Sequence, residues 1–156
     1  MKESILNHKK LLIVDDEPDI LDILGEEILD SCPDVKIDKA TNYETAAELL
    51  KSKDYDLVVL DIMGVRGFDL LEIAVAQKRK VAMLTAHALS LDALKKSHDF
   101  GAMAYLPKDK LGEIVPFLED VLQYEYKSGW DRLIEKLGGY YTKKFQTLVD
   151  DHIFYY

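Results

Sequence analysis

Short apolar runs alternate with amphipathic helical patterns along the chain, and this alternation limits the folds open to it more than any other feature. The first, third and fourth runs are nearly continuous in apolar residues. Such runs are typical of strands that are buried on both faces of a parallel sheet. Five strands are predicted, over 10–15, 35–40, 56–61, 80–85 and 102–107.

Helical patterns fill the intervals between these strands and continue after the last one. Pro18 suits the first turn of the first helix, and Asn42 is predicted to cap the second. The fourth helix covers about 88–100 and ends at Gly101, and the fifth runs from about 110 to at least 123. The alternation predicts an α/β fold, a doubly wound five-stranded parallel sheet in the flavodoxin-like order 2-1-3-4-5, with helices on both faces. The predicted apolar faces are Ile20, Ile23, Leu24 and Ile28 in the first helix and Phe68, Leu71, Ala74 and Val75 in the third.

The composition narrows the functional classes. A chain of 156 residues with 48% hydrophobic and 31% charged residues suits one globular domain with at most a small appendage. Its net charge of −9 repels a phosphate backbone, so no direct DNA binding is expected. The single cysteine, Cys32, excludes an internal disulfide and a multi-cysteine zinc site. The first ten residues lack an apolar signal-peptide core and no run is long enough to cross a bilayer, so we expect a cytoplasmic protein.

The last part of the chain has a different composition. Residues 124–156 contain nine of the fifteen aromatic residues, in two helical stripes that Gly138 and Gly139 separate. This pattern predicts a helical hairpin of about thirty residues. We therefore expect a domain over 1–124 and an aromatic-rich extension over 125–156. The extension could pack on the domain, form a homodimer or dock a partner.

Polar residues stand where the predicted strands end. Asp15 and Asp16 follow the first strand, Asp61 ends the third, Thr85 ends the fourth and Lys108 follows the fifth. In such sheets ligands bind at the carboxyl ends of the strands, near the point where the strand order reverses. Three carboxylates, a hydroxyl and an ammonium are therefore expected to meet at one edge.

The chemistry of this set allows two readings. Crowded carboxylates raise one another's pKa values unless a cation lies among them, and oxygen-only ligands suit Mg²⁺. A carboxylate can also accept a phosphoryl group, whose oxygens a metal, a lysine and a hydroxyl would neutralise. The bland alternative is that Asp15, Asp16 and Glu17 are only an acidic helix start that favours the helix dipole.

Four motifs carry a family resemblance. "VDDEPDIL", "LVVLDIM", "VAMLTAHA" and "GAMAYLPK" resemble, in order and spacing, the response-regulator receiver domains of two-component signalling, over about residues 8–124. The resemblance implies that Asp61 is the phosphoacceptor. It also implies that Asp15 and Asp16 bind Mg²⁺ together with Asp61 and the backbone carbonyl of Met63.

The resemblance implies roles for three further residues and for partners. Thr85 would be the switch hydroxyl, Tyr105 the switch aromatic, and Lys108 the residue that pairs with the phosphate. Phosphate would come from a sensor histidine kinase, a phosphotransfer protein or a small phosphodonor, and a downstream protein partner would read the change. The chain would catalyse only its own phosphorylation and dephosphorylation.

The sequence also departs from the family pattern. Val65 and Asp69 stand where receivers commonly carry Pro and Gly, and the loop after Asp61 is about two residues short, so Gly64 and Gly67 are predicted to supply the bend. Asp109 replaces the usual Pro after Lys108, so a trans bond is expected there. Met63 offers no polar side chain to align a hydrolytic water, which favours slow self-dephosphorylation.

Two other functional classes compete with a phosphorylated receiver. A degenerate receiver would keep the fold as a phosphate-independent binding module, and the short loop is its main support. An aspartate-nucleophile phosphatase of the haloacid-dehalogenase type would need a second Asp two residues after Asp61, where Met63 stands. A flavodoxin would need a phosphate-binding loop rich in Ser, Thr and Gly after the first strand, and the chain lacks one there.

Overall fold

The computed structural model of the chain describes residues 3–85 and 91–125. Five strands form one parallel sheet in the order β2-β1-β3-β4-β5, which confirms the predicted order. The observed limits differ from the predicted ones by no more than two residues at either end. The strands are β1 (Lys10–Val14), β2 (Lys36–Ala40), β3 (Leu57–Asp61), β4 (Lys80–Thr85) and β5 (Ala104–Pro107).

Five α-helices connect the strands and follow β5, as the alternation predicts. Asn42 caps the second helix, since its side-chain oxygen accepts a hydrogen bond of 2.8 Å from the backbone N–H of Thr45. The first and fifth helices contact each other, as do the second and third, so both faces of the sheet are covered. The helices are α1 (Pro18–Ser31), α2 (Tyr43–Ser52), α3 (Gly67–Ala76), α4 (Leu91–Asp99) and α5 (Ile114–Gln123).

The centre of the sheet explains the continuous apolar runs. Strand β3 lies between β1 and β4, and all five of its residues are buried. In contrast, β2 is an edge strand in which only Ala40 is buried. Burial on both faces favours an unbroken apolar run, and Asp61 comes at the end of such a run. The carboxylate of Asp61 therefore stands at the end of a central strand that is buried along its whole length.

Two predictions about the helices are wrong in detail. Ile23 was expected on the buried face of α1, yet it is 45% exposed, and the buried side is formed by Leu21, Leu24, Gly25 and Ile28. Successive helical residues are rotated by about 100°, so Ile23 points away from the side that Leu24 buries. The fifth helix does not start near 110. A 3₁₀ helix covers Lys108–Glu113, and α5 begins only at Ile114.

Several other expectations can be compared with the structure. The peptide bonds of the described residues are trans, including the one that follows Lys108, and Cys32 is a buried free thiol. Among the described residues, no helix combines the length and the apolar character that crossing a membrane requires. Residues 126–156 lie outside the described part of the chain, so the hairpin predicted over 125–156 stays a prediction.

Candidate functional site

The ends of β1 and β3 place two aspartates side by side. Val14 pairs with Leu60 in the parallel ladder, so Asp15 and Asp61 leave the sheet at the same edge. Both are buried, with 0% and 3% of their surfaces exposed, whereas Asp16 is exposed. One carboxylate oxygen from each of the three aspartates lies within 4.8 Å of the others. The structure thus brings together the three carboxylates that the sequence singled out.

Lys108 supplies a positive charge to this group. It follows β5 directly, and its side chain is only 9% exposed. Its Nζ lies 2.7 Å from Oδ2 of Asp15 and 3.3 Å from Oδ1 of Asp61. Because β5 is two strands away from β3, only a long side chain at this position can reach the carboxylates. One buried ammonium therefore accompanies three carboxylates and contacts two of them.

Burial and the excess of carboxylates over ammonium groups change the pKa values of the residues in the site. Burial, and then the charge of Asp15, raise the pKa of Asp61 from 3.8 to about 6, although Lys108 opposes the change. Burial also raises the pKa of Asp15, despite its hydrogen bond with Lys108. Burial alone would lower the pKa of Lys108, but its contacts with Asp15 and Asp61 raise it. The site carries excess negative charge that a bound cation would relieve.

Two glycines shape the loop that follows Asp61. Gly64 has a φ of +83°, and a Cβ atom there would collide with the carboxylate of Asp16. A Cβ atom on Gly67 would collide with the backbone carbonyl oxygen of Asp61. The N–H of Gly67 also donates to the carbonyl of Ile62 at 3.3 Å. The bend therefore depends on Gly64 and Gly67, as the sequence predicts.

The same loop contains a feature that the sequence did not reveal. Arg66 adopts a left-handed conformation, with a φ of 54°, just before α3. Its guanidinium lies 4.0 Å from the centre of the Tyr43 ring and donates to Asp69 at 2.8 Å. A tertiary stack between two surface residues gives no pattern in the sequence. These contacts fix the end of the short loop against α2.

The remaining predicted residues lie at different depths. Half-buried Thr85 lines a cavity of about 210 Å³ together with Asp61 and Lys108. Met63 also lines this cavity, although 73% of the residue is exposed. Tyr105 lies in β5 and is fully buried, so it packs in the core and is not among the residues that line this cavity.

Glu17 belongs to the site, although its place in the sequence indicates only the start of α1. Its Oε2 lies 3.4 Å from Nζ of Lys108, and the residue lines the same cavity as Asp61. Its own side chain makes no capping hydrogen bond. Instead, Oδ1 of Asp15 accepts a hydrogen bond of 2.9 Å from the Glu17 backbone N–H. Asp15 thus supports the helix start and faces the site, so the two readings of the acidic run are compatible.

Comparison with known proteins assigns this arrangement to a family. The family model described as "Response regulator receiver domain" matches residues 11–118. The response regulator protein PilR of Pseudomonas aeruginosa PAO1 is 36% identical over 107 residues. That match covers 66% of this chain but only 23% of PilR, so the chain spans less than a quarter of this curated relative.

Solved structures share the fold. A CheY-like response regulator receiver domain protein from Methanospirillum hungatei JF-1 superposes with a TM-score of 0.58 at 24% identity, covering 84% of this chain and 94% of its own. A response regulator protein from Burkholderia pseudomallei, solved with a phosphorylated aspartic acid, a calcium ion and citrate, gives a TM-score of 0.66 at 19% identity. This second match covers 80% of the chain and 72% of that protein.

Proposed function

The chain belongs to the response regulator receiver domain family, and on this premise we propose that Asp61 accepts a phosphoryl group and that a protein partner reads the change. One observation carries the proposal. Asp61 is buried at the end of β3, within 4.8 Å of oxygens from Asp15 and Asp16 and 3.3 Å from the ammonium of Lys108. Membership of this family also places the chain outside the classical enzymes. The reactions that we propose for it are the phosphorylation and dephosphorylation of its own aspartate.

The acidic group fits a Mg²⁺ ion, which receiver domains bind. Carboxylate oxygens are the ligands that this cation prefers. Asp16 and Asp61 would bind it directly, Asp15 partly through water, and the backbone carbonyl of Met63 would complete the protein ligands. When bound, the ion offsets the negative charge of the phosphoryl oxygens. Support comes from the excess of three carboxylates over one ammonium.

The residues of the chain have separate roles in this proposal. An oxygen of Asp61 attacks the phosphorus of the donor, and the bond from phosphorus to the leaving group breaks. Lys108, whose side chain is only 9% exposed, donates to an oxygen of the transferred group and stabilises its negative charge. The Burkholderia protein, which carries a phosphorylated aspartic acid, supports the choice of an aspartate as acceptor.

Thr85 and Tyr105 are proposed to pass on the change. Thr85 lines the cavity that contains Asp61, and we propose that its hydroxyl donates to a phosphoryl oxygen. Met83 of the same strand pairs with Tyr105 of β5 in the parallel ladder. A displacement of β4 at Thr85 would therefore be transmitted to Tyr105 in β5. A downstream protein partner would recognise the altered surface.

The family implies a kinase as the source of phosphate. We propose a sensor histidine kinase or a phosphotransfer protein as the natural donor, with small phosphodonors able to replace it. A cytoplasmic location fits such a donor. The proposal includes no direct DNA binding by these residues, because the net charge of −9 opposes it.

Incubation with acetyl phosphate and Mg²⁺, read by intact mass, tests the proposed function. The wild-type chain is expected to gain the mass of one phosphoryl group, because the carboxylate of Asp61 lines the cavity beside Lys108. The Asp61→Asn variant should gain none. Omission of Mg²⁺ should prevent the gain on the wild-type chain. An unlabelled wild-type chain, under conditions that label another receiver, would contradict the proposal.

The second candidate is a degenerate receiver that binds its partner without phosphate. Its support is the loop after Asp61, which the sequence predicts to be short and in which Arg66 adopts a left-handed conformation. The complete set of Asp15, Asp61 and Lys108 argues against it, since buried charges are costly to keep without a use. The labelling experiment separates the two candidates.

The phosphorylated form is expected to lose its phosphate slowly. Met63 stands two residues after Asp61, and its exposed side chain has no group that could align a hydrolytic water. Intact mass followed over time after removal of the donor should show a lifetime of minutes or longer. The Met63→Asn variant should be dephosphorylated faster, because an amide can hold a water. Loss within seconds from the wild-type chain at neutral pH would contradict this prediction.

A further inference from the structure

The ammonium of Lys108 contacts one carboxylate more than the proposed mechanism uses. Its Nζ lies 2.7 Å from Asp15, 3.3 Å from Asp61 and 3.4 Å from Glu17. An ammonium has three donor hydrogens, so these three carboxylates can occupy all of them. A phosphoryl group on Asp61 would need at least one. The oxygens that the group adds beside Asp61 would therefore compete with the carboxylates of Asp15 and Glu17 for these donors.

Glu17 is the contact that can be given up at least cost. Its side chain is 59% exposed, whereas the side chains of Asp15 and Asp61 are 0% and 5% exposed. An exposed carboxylate that leaves an ion pair regains its hydration, but a buried one does not. Glu17 also lines the cavity in which Asp61 lies, so its charge faces any anion that enters.

We infer that Glu17 is a positioning residue that holds Lys108 in the unphosphorylated chain and slows the entry of anionic phosphodonors. This inference rests on the proposed function. Glu17 acts in two ways, since it occupies a donor of Lys108 and repels negative charge near the cavity. When the phosphoryl group arrives on Asp61, its oxygens replace the Glu17 carboxylate at Lys108.

Two small phosphodonors differ in their leaving group and in their charge. With acetyl phosphate, an Asp61 oxygen forms a bond to phosphorus while the bond from phosphorus to the acetate oxygen breaks, and acetate leaves with the electron pair. With phosphoramidate, the bond from phosphorus to nitrogen breaks, and ammonia leaves from the protonated nitrogen. Phosphoramidate is protonated on nitrogen at neutral pH and is the less negative donor. The two donors therefore differ in how strongly Glu17 should repel them.

The test compares Glu17→Gln with Asp19→Asn, which removes the same charge from the same helix start. Asp19 is exposed and does not line the cavity, and Glu17 makes no side-chain capping bond that Gln would lose. Initial phosphorylation rates are measured by intact mass at saturating Mg²⁺, with each donor and at low and high salt. Circular dichroism of each variant checks that the fold is kept.

Glu17→Gln is expected to speed labelling by acetyl phosphate about three- to tenfold at low salt, with a smaller gain for phosphoramidate. High salt should reduce the gain, because it screens the exposed charge. Asp19→Asn should leave the rate within about twofold of wild type. Equal rates for Glu17→Gln and wild type, or a slower variant, would overturn the inference while labelling persists. Failure of every variant and of wild type to label would instead overturn the proposed function.

Discussion

Asp61→Asn is expected to raise the free energy of unfolding by about 3 kcal/mol near pH 7.5 in metal-free buffer. The reason is the raised pKa of Asp61, about 6 against an ordinary value of 3.8, which burial and the charge of Asp15 cause. Ionisation of this carboxyl group costs the folded chain free energy that the unfolded chain does not lose. Asparagine fills similar space without the charge.

The pH window follows from the sign of that shift. The stability that neutral Asp61 contributes is fully present below about pH 3.8 and is lost as the pH rises through about 6. The difference between variant and wild type should therefore be small near pH 4 and complete above about pH 6.5. Urea unfolding across this range measures it. Asp19→Asn serves as the control for charge and should change stability by no more than about 0.5 kcal/mol.

Mg²⁺ should reduce the difference in the free energy of unfolding between the Asp61→Asn variant and the wild-type chain. A cation bound among the carboxylates stabilises the wild-type chain by mass action, whereas the variant lacks one of the proposed ligands. Unfolding of both chains with Mg²⁺ and with a chelator gives the comparison. A variant that is less stable than wild type in chelator, or a gap that does not change with pH, would contradict the charge balance described for the site.

Gly67→Ala should destabilise the chain by about 2 kcal/mol or more and slow phosphorylation at least about tenfold. A Cβ atom at this position collides with the carbonyl oxygen of Asp61 and approaches Cα of Ile62 to 2.9 Å. Both are backbone atoms, so the loop must move, and Asp61 must move with it. Urea unfolding and the acetyl phosphate rate measure the two effects.

Gly112→Ala is the matched control. Gly112 lies in the 3₁₀ helix that precedes α5, and a Cβ atom there would meet nothing within 4 Å. Its stability is expected to stay within about 1 kcal/mol of wild type, because only backbone entropy changes. If Gly67→Ala unfolded and was labelled like Gly112→Ala, the tight packing of the loop on Asp61 would have no functional weight.

The fold, and the placement of most residues of the candidate site, could be predicted from the sequence for a simple physical reason. Parallel strands bring their carboxyl ends to one edge, so the residues that follow Val14 and end β3 must meet there. The cap at Asn42 was predictable because it depends on a contact three residues away. Local rules and the strand pattern therefore carried these predictions.

Features that depend on tertiary packing were not predictable in this way. The periodicity of α1 does not tell which flank of the apolar stripe faces solvent, so Ile23 was placed on the wrong side. The 3₁₀ helix before Ile114 and the stack of Arg66 on Tyr43 depend on neighbours distant in sequence. The contact of Glu17 with Lys108 joins residues 91 positions apart. Its only trace in the sequence is that Glu17 follows the paired aspartates.

The most direct measurement locates the phosphoryl group on the chain. Borohydride reduces an acyl phosphate on aspartate to homoserine, which peptide mass spectrometry can place at a single position. After labelling with acetyl phosphate and Mg²⁺, homoserine is expected at position 61 and at no other aspartate. Homoserine at Asp15 or Asp16, or a phosphoryl mass that borohydride leaves unchanged, would contradict the assignment of Asp61 as the phosphoacceptor.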